Sequence, residues 1–202
     1  RASCAERLSW NISLTALIAF SVFSRFPKIF LYPSGITSAI FTSFKTTKLD
    51  KISIFVGNLI IPEKIPVLYG QTFWCNNNPA FTGTLNVSNV TTIGDACFFG
   101  CGFTGELIIP DGVSVVGSSH SVHGIFEEGA FTSVSLPESI KIIGSKAFSN
   151  QSRLMDINFP EGLVSIARYS FERCFNLKEI NIPSSVKRIG DLTFYDCTEL
   201  SQ

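Results

Sequence analysis

The sequence repeats itself. The stretch Leu177-Lys-Glu-Ile-Asn-Ile-Pro-Ser-Ser-Val-Lys-Arg-Ile-Gly190 returns 23 residues upstream as Leu154-Met-Asp-Ile-Asn-Phe-Pro-Glu-Gly-Leu-Val-Ser-Ile-Ala167. Pro62, Pro110, Pro137, Pro160 and Pro183, with Ser88 in the proline place of one copy, mark six copies in a common frame, spaced 26, 22, 27, 23 and 23 residues apart. A repeat of this length is one supersecondary unit whose few apolar side chains cannot offset the entropy of ordering 23 residues. Copies must therefore bury one another's faces, and the chain is expected to be a solenoid in which each unit touches its neighbours.

Within each copy the residues before the proline alternate. Leu59 and Ile61, Leu85 and Val87, Leu107 and Ile109, Val134 and Leu136, Ile157 and Phe159, Ile180 and Ile182 all fall on one side of a short strand of period two. Proline lacks the N–H that a ladder needs and ends the strand. Seven residues after the later prolines stands a small residue (Gly117, Gly144, Ala167, Gly190), and eleven after Pro137, Pro160 and Pro183 stands Phe148, Phe171 or Phe194. Phe98 holds the same place, one residue early, in the copy of Ser88. An Ala-Phe pair such as Ala147 and Phe148 suits a helical or 3₁₀ turn that sends the ring inside, so the phenylalanines are expected to form a spine. Pro33, with Ile36 and Phe44, fits a degenerate copy, and residues 1–32 show no clean one.

Composition agrees with a packed repeat array. Of 202 residues 45% are hydrophobic and only 16% charged, which excludes intrinsic disorder. Sixteen basic residues balance sixteen acidic ones, so nucleic acid is not an expected partner.

The unit Leu-x-x-Ile-x-Ile-Pro-x-x-Val-x-x-Ile-Gly-x-x-Ala-Phe-x-x-Cys, best seen from Leu177 to Cys197 with Thr193 in the alanine place, resembles the BspA-like, or Treponema-type, leucine-rich repeat. The resemblance is strongest over residues 80 to 202. It implies an α/β leucine-rich-repeat horseshoe over residues 33–202, with short parallel strands on the concave face and turns, 3₁₀ or helical segments on the convex side. Family members are mostly surface-exposed or secreted adhesins, so it also implies a cell-surface or secreted module that binds a protein or glycan of a host matrix or cell. Two places depart from the pattern. Between Pro110 and Pro137 the unit is four residues longer, with Ser118-Ser-His-Ser-Val-His-Gly124 bulging out, and Gln151 replaces the cysteine of its copy.

The residues two and four before each proline point away from the core of such a solenoid. They form a small, polar, mildly acidic strip: Asn58 and Ile60, Thr84 and Asn86, Glu106 and Ile108, Ser133 and Ser135, Asp156 and Asn158, Glu179 and Asn181. Ligand binding is assigned to Thr84, Asn86, Glu106, Ser133, Ser135, Asp156, Asn158, Glu179 and Asn181, with Asp156, Asn158, Glu179 and Asn181 as principal contacts and the His120 loop as a rim. The competing explanation is a sheet face kept polar for solubility.

Other candidate chemistry is thin. Cys101, Cys174 and Cys197 each lie three residues after a spine phenylalanine, which fits either small buried hydrophobes or, between adjacent copies, a bridge. Cys97 and Cys101 make one CxxxC with no second pair, and His120 and His123 lack a third ligand, though Glu127 and Glu128 are near, so no metal or cofactor is expected. No nucleophile elbow, phosphate loop or metal-hydrolase motif is present, and an enzyme working through His120 and His123 ranks last. Sequons at Asn11, Asn86, Asn89 and Asn150 would accept glycans in a secreted eukaryotic chain, and a sugar on Asn86 would block the strip. The uncharged run 8–24 is shorter and more polar than a spanning helix and lacks a small-residue cleavage site, so a buried degenerate repeat is expected there, with no membrane contact. Both ends of the chain resemble cuts in a longer protein. An intracellular scaffold is the alternative function.

Overall fold

The computed structural model describes residues 40–49, 52–75 and 83–201. Residues 1–32, and with them the uncharged run, lie outside it. Two strands, β1 (Ile40–Leu49) and β2 (Ile52–Ile60), form an antiparallel hairpin whose register slips between Thr42 and Lys45. Phe44, the spine position of a copy starting at Pro33, lies in β1 of this hairpin. The end of β2 then pairs in parallel with β4 (Leu85–Asn86), Leu59 against Leu85, and the parallel solenoid begins.

Two strand ladders run along the array. The first holds the strands that precede the prolines. After β2 and β4 it contains β6 (Thr104–Ile108), β8 (Ala130–Ser135) and β10 (Asp156–Asn158), the last three one parallel sheet. The second ladder is absent from the sequence expectations. It is built from the Val-x-x-Ile stretch after each proline. There β3 (Val67–Leu68) pairs with β5 (Thr92–Ile93), while β7 (Val115–Val116), β9 (Ile142–Ile143), β11 (Ser165–Ile166) and β12 (Arg188–Ile189) make a four-stranded parallel sheet. The strand expected around Ile180 and Ile182 does not join the first ladder. Ile182 stays exposed there.

The convex side consists of turns, and the helical or 3₁₀ alternative is not taken among the described residues. Two left-handed residues bracket four of the spine phenylalanines, Ala96 and Gly100 around Phe98, Lys146 and Asn150 around Phe148, Tyr169 and Arg173 around Phe171, Leu192 and Asp196 around Phe194, while Gln71 precedes Phe73 and Glu128 follows Phe126. A helix cannot continue through such positions, each costing a non-glycine residue about 1 kcal/mol. The compensation is a third set of bonds between copies. The N–H of Phe98 donates to Ile125 (2.9 Å), that of Phe148 to Ser170 (2.9 Å) and that of Phe171 to Thr193 (2.9 Å), while Asn150 donates to Glu172 and Arg173 to Tyr195.

Inside, Leu59, Leu85, Leu107, Val134 and Ile157 line the first ladder and are buried, as the alternation requires. Six phenylalanines, Phe73, Phe98, Phe126, Phe148, Phe171 and Phe194, stack in one column with ring centroids 5.2 to 5.6 Å apart and near-parallel planes. Phe103 and Phe131 meet the column edge-on. The column includes Phe73 and Phe126, beyond the four rings expected.

Candidate functional site

The first ladder fixes which strip residues sit side by side. Glu106, Ser133 and Asp156 are in register across β6, β8 and β10, and so are Ile108, Ser135 and Asn158. Neighbouring strands lie about 4.8 Å apart, so each row presents one side chain per rung. Thr84, Asn86, Glu106, Ser135, Asp156, Asn158, Glu179 and Asn181 are exposed, and Ser133 is half-buried. Glu179 and Asn181 follow outside the ladder pairing. The strip is not uniformly polar: Ile108, 58% exposed, stands between the asparagine side of the earlier copies and Ser135.

Local bonds occupy part of it. The Asn86 side-chain oxygen accepts the Ser88 N–H at 2.9 Å, and the Asn58 side-chain oxygen accepts the Thr84 N–H at 3.0 Å. These two asparagines shape the turn and the strand entry at that end. The carboxylates differ. Among the described residues the ion pairs are His123–Glu127, Lys146–Glu127 and Arg173–Asp196, and none includes Glu106, Asp156 or Glu179.

The inserted loop lies elsewhere. It leaves β7 and returns at the convex turn of Phe126, so it borders the second ladder and the turns, and the rim expected beside the strip is not formed. His123 packs on Phe99 (4.5 Å between centroids) and edge-on to Trp74 (5.1 Å), over two earlier copies. Its Nδ1 lies 3.5 Å from the buried Glu127 carboxylate, which also accepts the Gly124 N–H and faces the Lys146 ammonium at 3.6 Å. The Asp95 carboxylate accepts the Ser118 N–H at the other end, and exposed His120 lies within hydrogen-bonding distance of Ser119, at 2.7 Å. Two polar anchors and two rings thus hold the loop, and Val122 projects from it. Among the described residues no three His, Cys, Asp or Glu side chains are grouped to hold a metal ion.

The cysteines form a ladder of their own. The thiols of Cys101, Cys174 and Cys197 donate to the carbonyls of Phe73 (2.9 Å), Phe148 (3.2 Å) and Phe171 (3.0 Å), each the spine residue of the preceding copy. Gln151 fills the equivalent place and donates its side-chain amide to the Phe126 carbonyl. Burial pushes the Cys97 thiol up to about 12, and burial followed by Cys75 holds Cys101 well above the ordinary thiol range. Such thiols are poor nucleophiles.

A family model described as a BspA type leucine rich repeat region, in six copies, matches residues 16–120 and 122–202. Among solved structures, a leucine-rich repeat protein from Bacteroides ovatus is similar over 65% of this chain, with 29% identity and a TM-score of 0.55. The T. pallidum leucine rich repeat protein (24% identity, TM-score 0.44) matches 78% of the chain, and a leucine rich cell surface protein from Faecalibacterium prausnitzii (23%, 0.39) matches 69%. This chain spans 33% of the Bacteroides protein, 66% of the T. pallidum protein and 51% of the Faecalibacterium protein. No curated protein matches it. With the family model covering nearly the whole chain and parallel ladders carrying its repeat, the chain belongs to the BspA-type leucine-rich-repeat family, whose fold makes it a protein-interaction module.

Proposed function

We propose that the module binds a protein through the concave strip, as part of a cell-surface or secreted adhesion protein. The observation that carries this reading is the row of exposed carboxylates, Glu106 and Asp156 in register about Ser133 with Glu179 beyond them, none in an ion pair among the described residues. Carboxylates fixed on a strand face suit arginine and lysine side chains, which pair with them through charge-assisted hydrogen bonds. Ile108 supplies an apolar contact beside them. Each contact is shallow, and several rungs engaged together supply the affinity. The surface and adhesion part of the reading rests on the family resemblance. Family members are generally binding modules without catalysis, and no reaction is proposed for the histidine loop.

The test is saturable binding of the folded chain to a panel of host matrix proteins and epithelial cells, with wild type beside Asp156→Lys/Glu179→Lys. The expected result is binding that weakens with salt and drops about ten-fold or more in the variant. Binding that survives the double charge reversal unchanged would move the site off the strip. No binding by the folded chain at all would favour the scaffold alternative.

A further inference from the structure

We infer that Cys75 and Cys101 form a structural disulfide between the copies of Pro62 and Ser88, made by exchange with a small glutathione-type disulfide as the chain folds. Both residues are thiols in the structure, and their sulfurs lie 2.7 Å apart. An O–H···O hydrogen bond has about that length, and sulfur is the larger atom, so the pair is too close for a thiol–thiol hydrogen bond. The protons are also drawn elsewhere. Both thiols donate to one carbonyl, that of Phe73, at 3.2 Å from Cys75 and 2.9 Å from Cys101, which leaves the two sulfurs facing each other with no hydrogen between them. Closing to the bonded separation is a movement of about 0.7 Å.

Position in the repeat sets this pair apart from the other cysteines. Cys101, Cys174 and Cys197 recur three residues after a spine phenylalanine, but Cys75 stands two after Phe73. In the later copies that place holds Gly100, Glu128, Asn150, Arg173 or Asp196, all left-handed turn residues that bury no side chain. Cys75 is buried there, beside the equally buried Cys101. Backbone bonds hold the two turns in register around the sulfurs: Gln71 N–H to Asp95 (3.0 Å), Phe73 N–H to Cys97 (2.8 Å) and Cys75 N–H to Phe99 (2.8 Å). The next copy ties on to the Cys101 turn in the same way, through Phe98 N–H to Ile125 and Gly100 N–H to Glu127, both 2.9 Å.

Burial fixes when the bond is made. Exchange needs an accessible sulfur, and neither sulfur can be reached once the copies have closed. While the turns are still open, the thiolate of one cysteine attacks a sulfur of the external disulfide and the S–S bond breaks. The first glutathione leaves as a thiolate that takes up the proton this cysteine gave. The other cysteine then loses its proton and attacks the protein sulfur of the mixed disulfide. A Cys75–Cys101 bond forms, and the second glutathione leaves with that proton. Two protein thiols are oxidised and one external disulfide is reduced to two thiols. Closure gives up the two bonds to the Phe73 carbonyl, for which thiols are weak donors. It spans 26 residues of chain, which restricts the unfolded state, and it does so whatever the strip binds.

The whole chain is unfolded in urea with a reducing thiol and diluted into a glutathione redox buffer. Remaining thiols are then alkylated in urea, and the peptides are mapped by mass spectrometry. The expected product is a Cys75–Cys101 linked peptide, about ten-fold or more over any other pairing of the six cysteines. In the folded chain a reducing thiol is expected to open the link about ten-fold or more slower than in urea, because both sulfurs are buried. A chain that does not refold by dilution is mapped after secretion into an oxidising bacterial periplasm instead. A map with all thiols free, or one in which another cysteine takes Cys75 or Cys101, overturns the proposal. So does a Cys75–Cys101 link that opens as fast in the folded chain as in urea.

Discussion

Gln151 donates its side-chain amide to the backbone carbonyl of Phe126, in the place where three other copies use a cysteine thiol on the same carbonyl. The glutamine oxygen also accepts the Phe131 N–H at 3.1 Å. In these four copies what the position supplies is a donor, and a sulfur is not required. A longer donor needs room, and Gly129, the equivalent residue one copy upstream, provides it: a Cβ there would collide with the Gln151 amide.

Gln151→Ala should cost about 2–4 kcal/mol, because it orphans a buried carbonyl and a buried N–H. Gly129→Ala should destabilise on its own, whereas in a Gln151→Cys background it should cost about 1 kcal/mol less. Urea unfolding of the four chains gives the coupling. Additive losses would show that the two positions do not share the space.

Phe148 has a spine ring on each side and Phe194 on one. Phe148→Ala should cost about 3–5 kcal/mol, and Phe194→Ala, at a half-buried site, about 1–2 kcal/mol. Equal midpoints in chemical denaturation would mean that stacking adds little to the column.

Gly144 packs backbone against backbone. A Cβ on it would come within 2.5 Å of the Gly117 carbonyl oxygen and 2.8 Å of the Ser118 carbonyl oxygen, neither of which is a flexible chain end. Gly144→Ala should lose about 1–3 kcal/mol as the copies are forced apart. Hydrogen exchange should rise at the Gly144 amide, which donates to Val116. Unchanged stability would refute the close approach.

Burial, then the neighbouring Glu127 carboxylate, raises the Glu128 carboxyl above its usual range, and His123 and Lys146 offset part of this. The folded chain thus holds the proton to higher pH than the unfolded one. Ionisation opposes folding, and the penalty appears as pH rises through the ordinary carboxylate value and is complete above the folded one. Glu128→Gln should raise Tm at neutral pH and leave it unchanged at about pH 3, where both states are protonated. A Tm gain of the same size at both pH values would rule out a charge effect.

The proline frame made the first ladder legible, because alternation at Leu85, Leu107 and Ile157 fixes which side is buried. Counting eleven residues from proline located Phe148, Phe171 and Phe194, and the same count reaches Phe73 from Pro62. Phe126 escaped it, since nine residues separate it from Gly117 where four separate Phe148 from Gly144. The second ladder was hidden for a different reason: its strands are two residues long, too short for a period to register. The turns were misjudged at Ala147 and Phe148, where local propensity favours a helix and bonds to the next copy impose left-handed residues instead. In the strip, the row Glu106, Ser133 and Asp156 followed from spacing alone, but the failure of Glu179 and Asn181 to join a strand depends on neighbours that spacing does not describe.

The Gly129 and Gln151 pair also bears on how such an array can be inherited. At the copy boundary where Cys197 follows Cys174, the upper and lower faces match, and a unit copied or lost by unequal recombination would leave compatible surfaces. The boundary that joins a missing side chain to an oversized one is different. A crossover there would set glutamine against cysteine, or glycine against cysteine, producing a clash in one product and a void in the other. The two residues must descend together, and the array carries one seam at which its modules are not interchangeable.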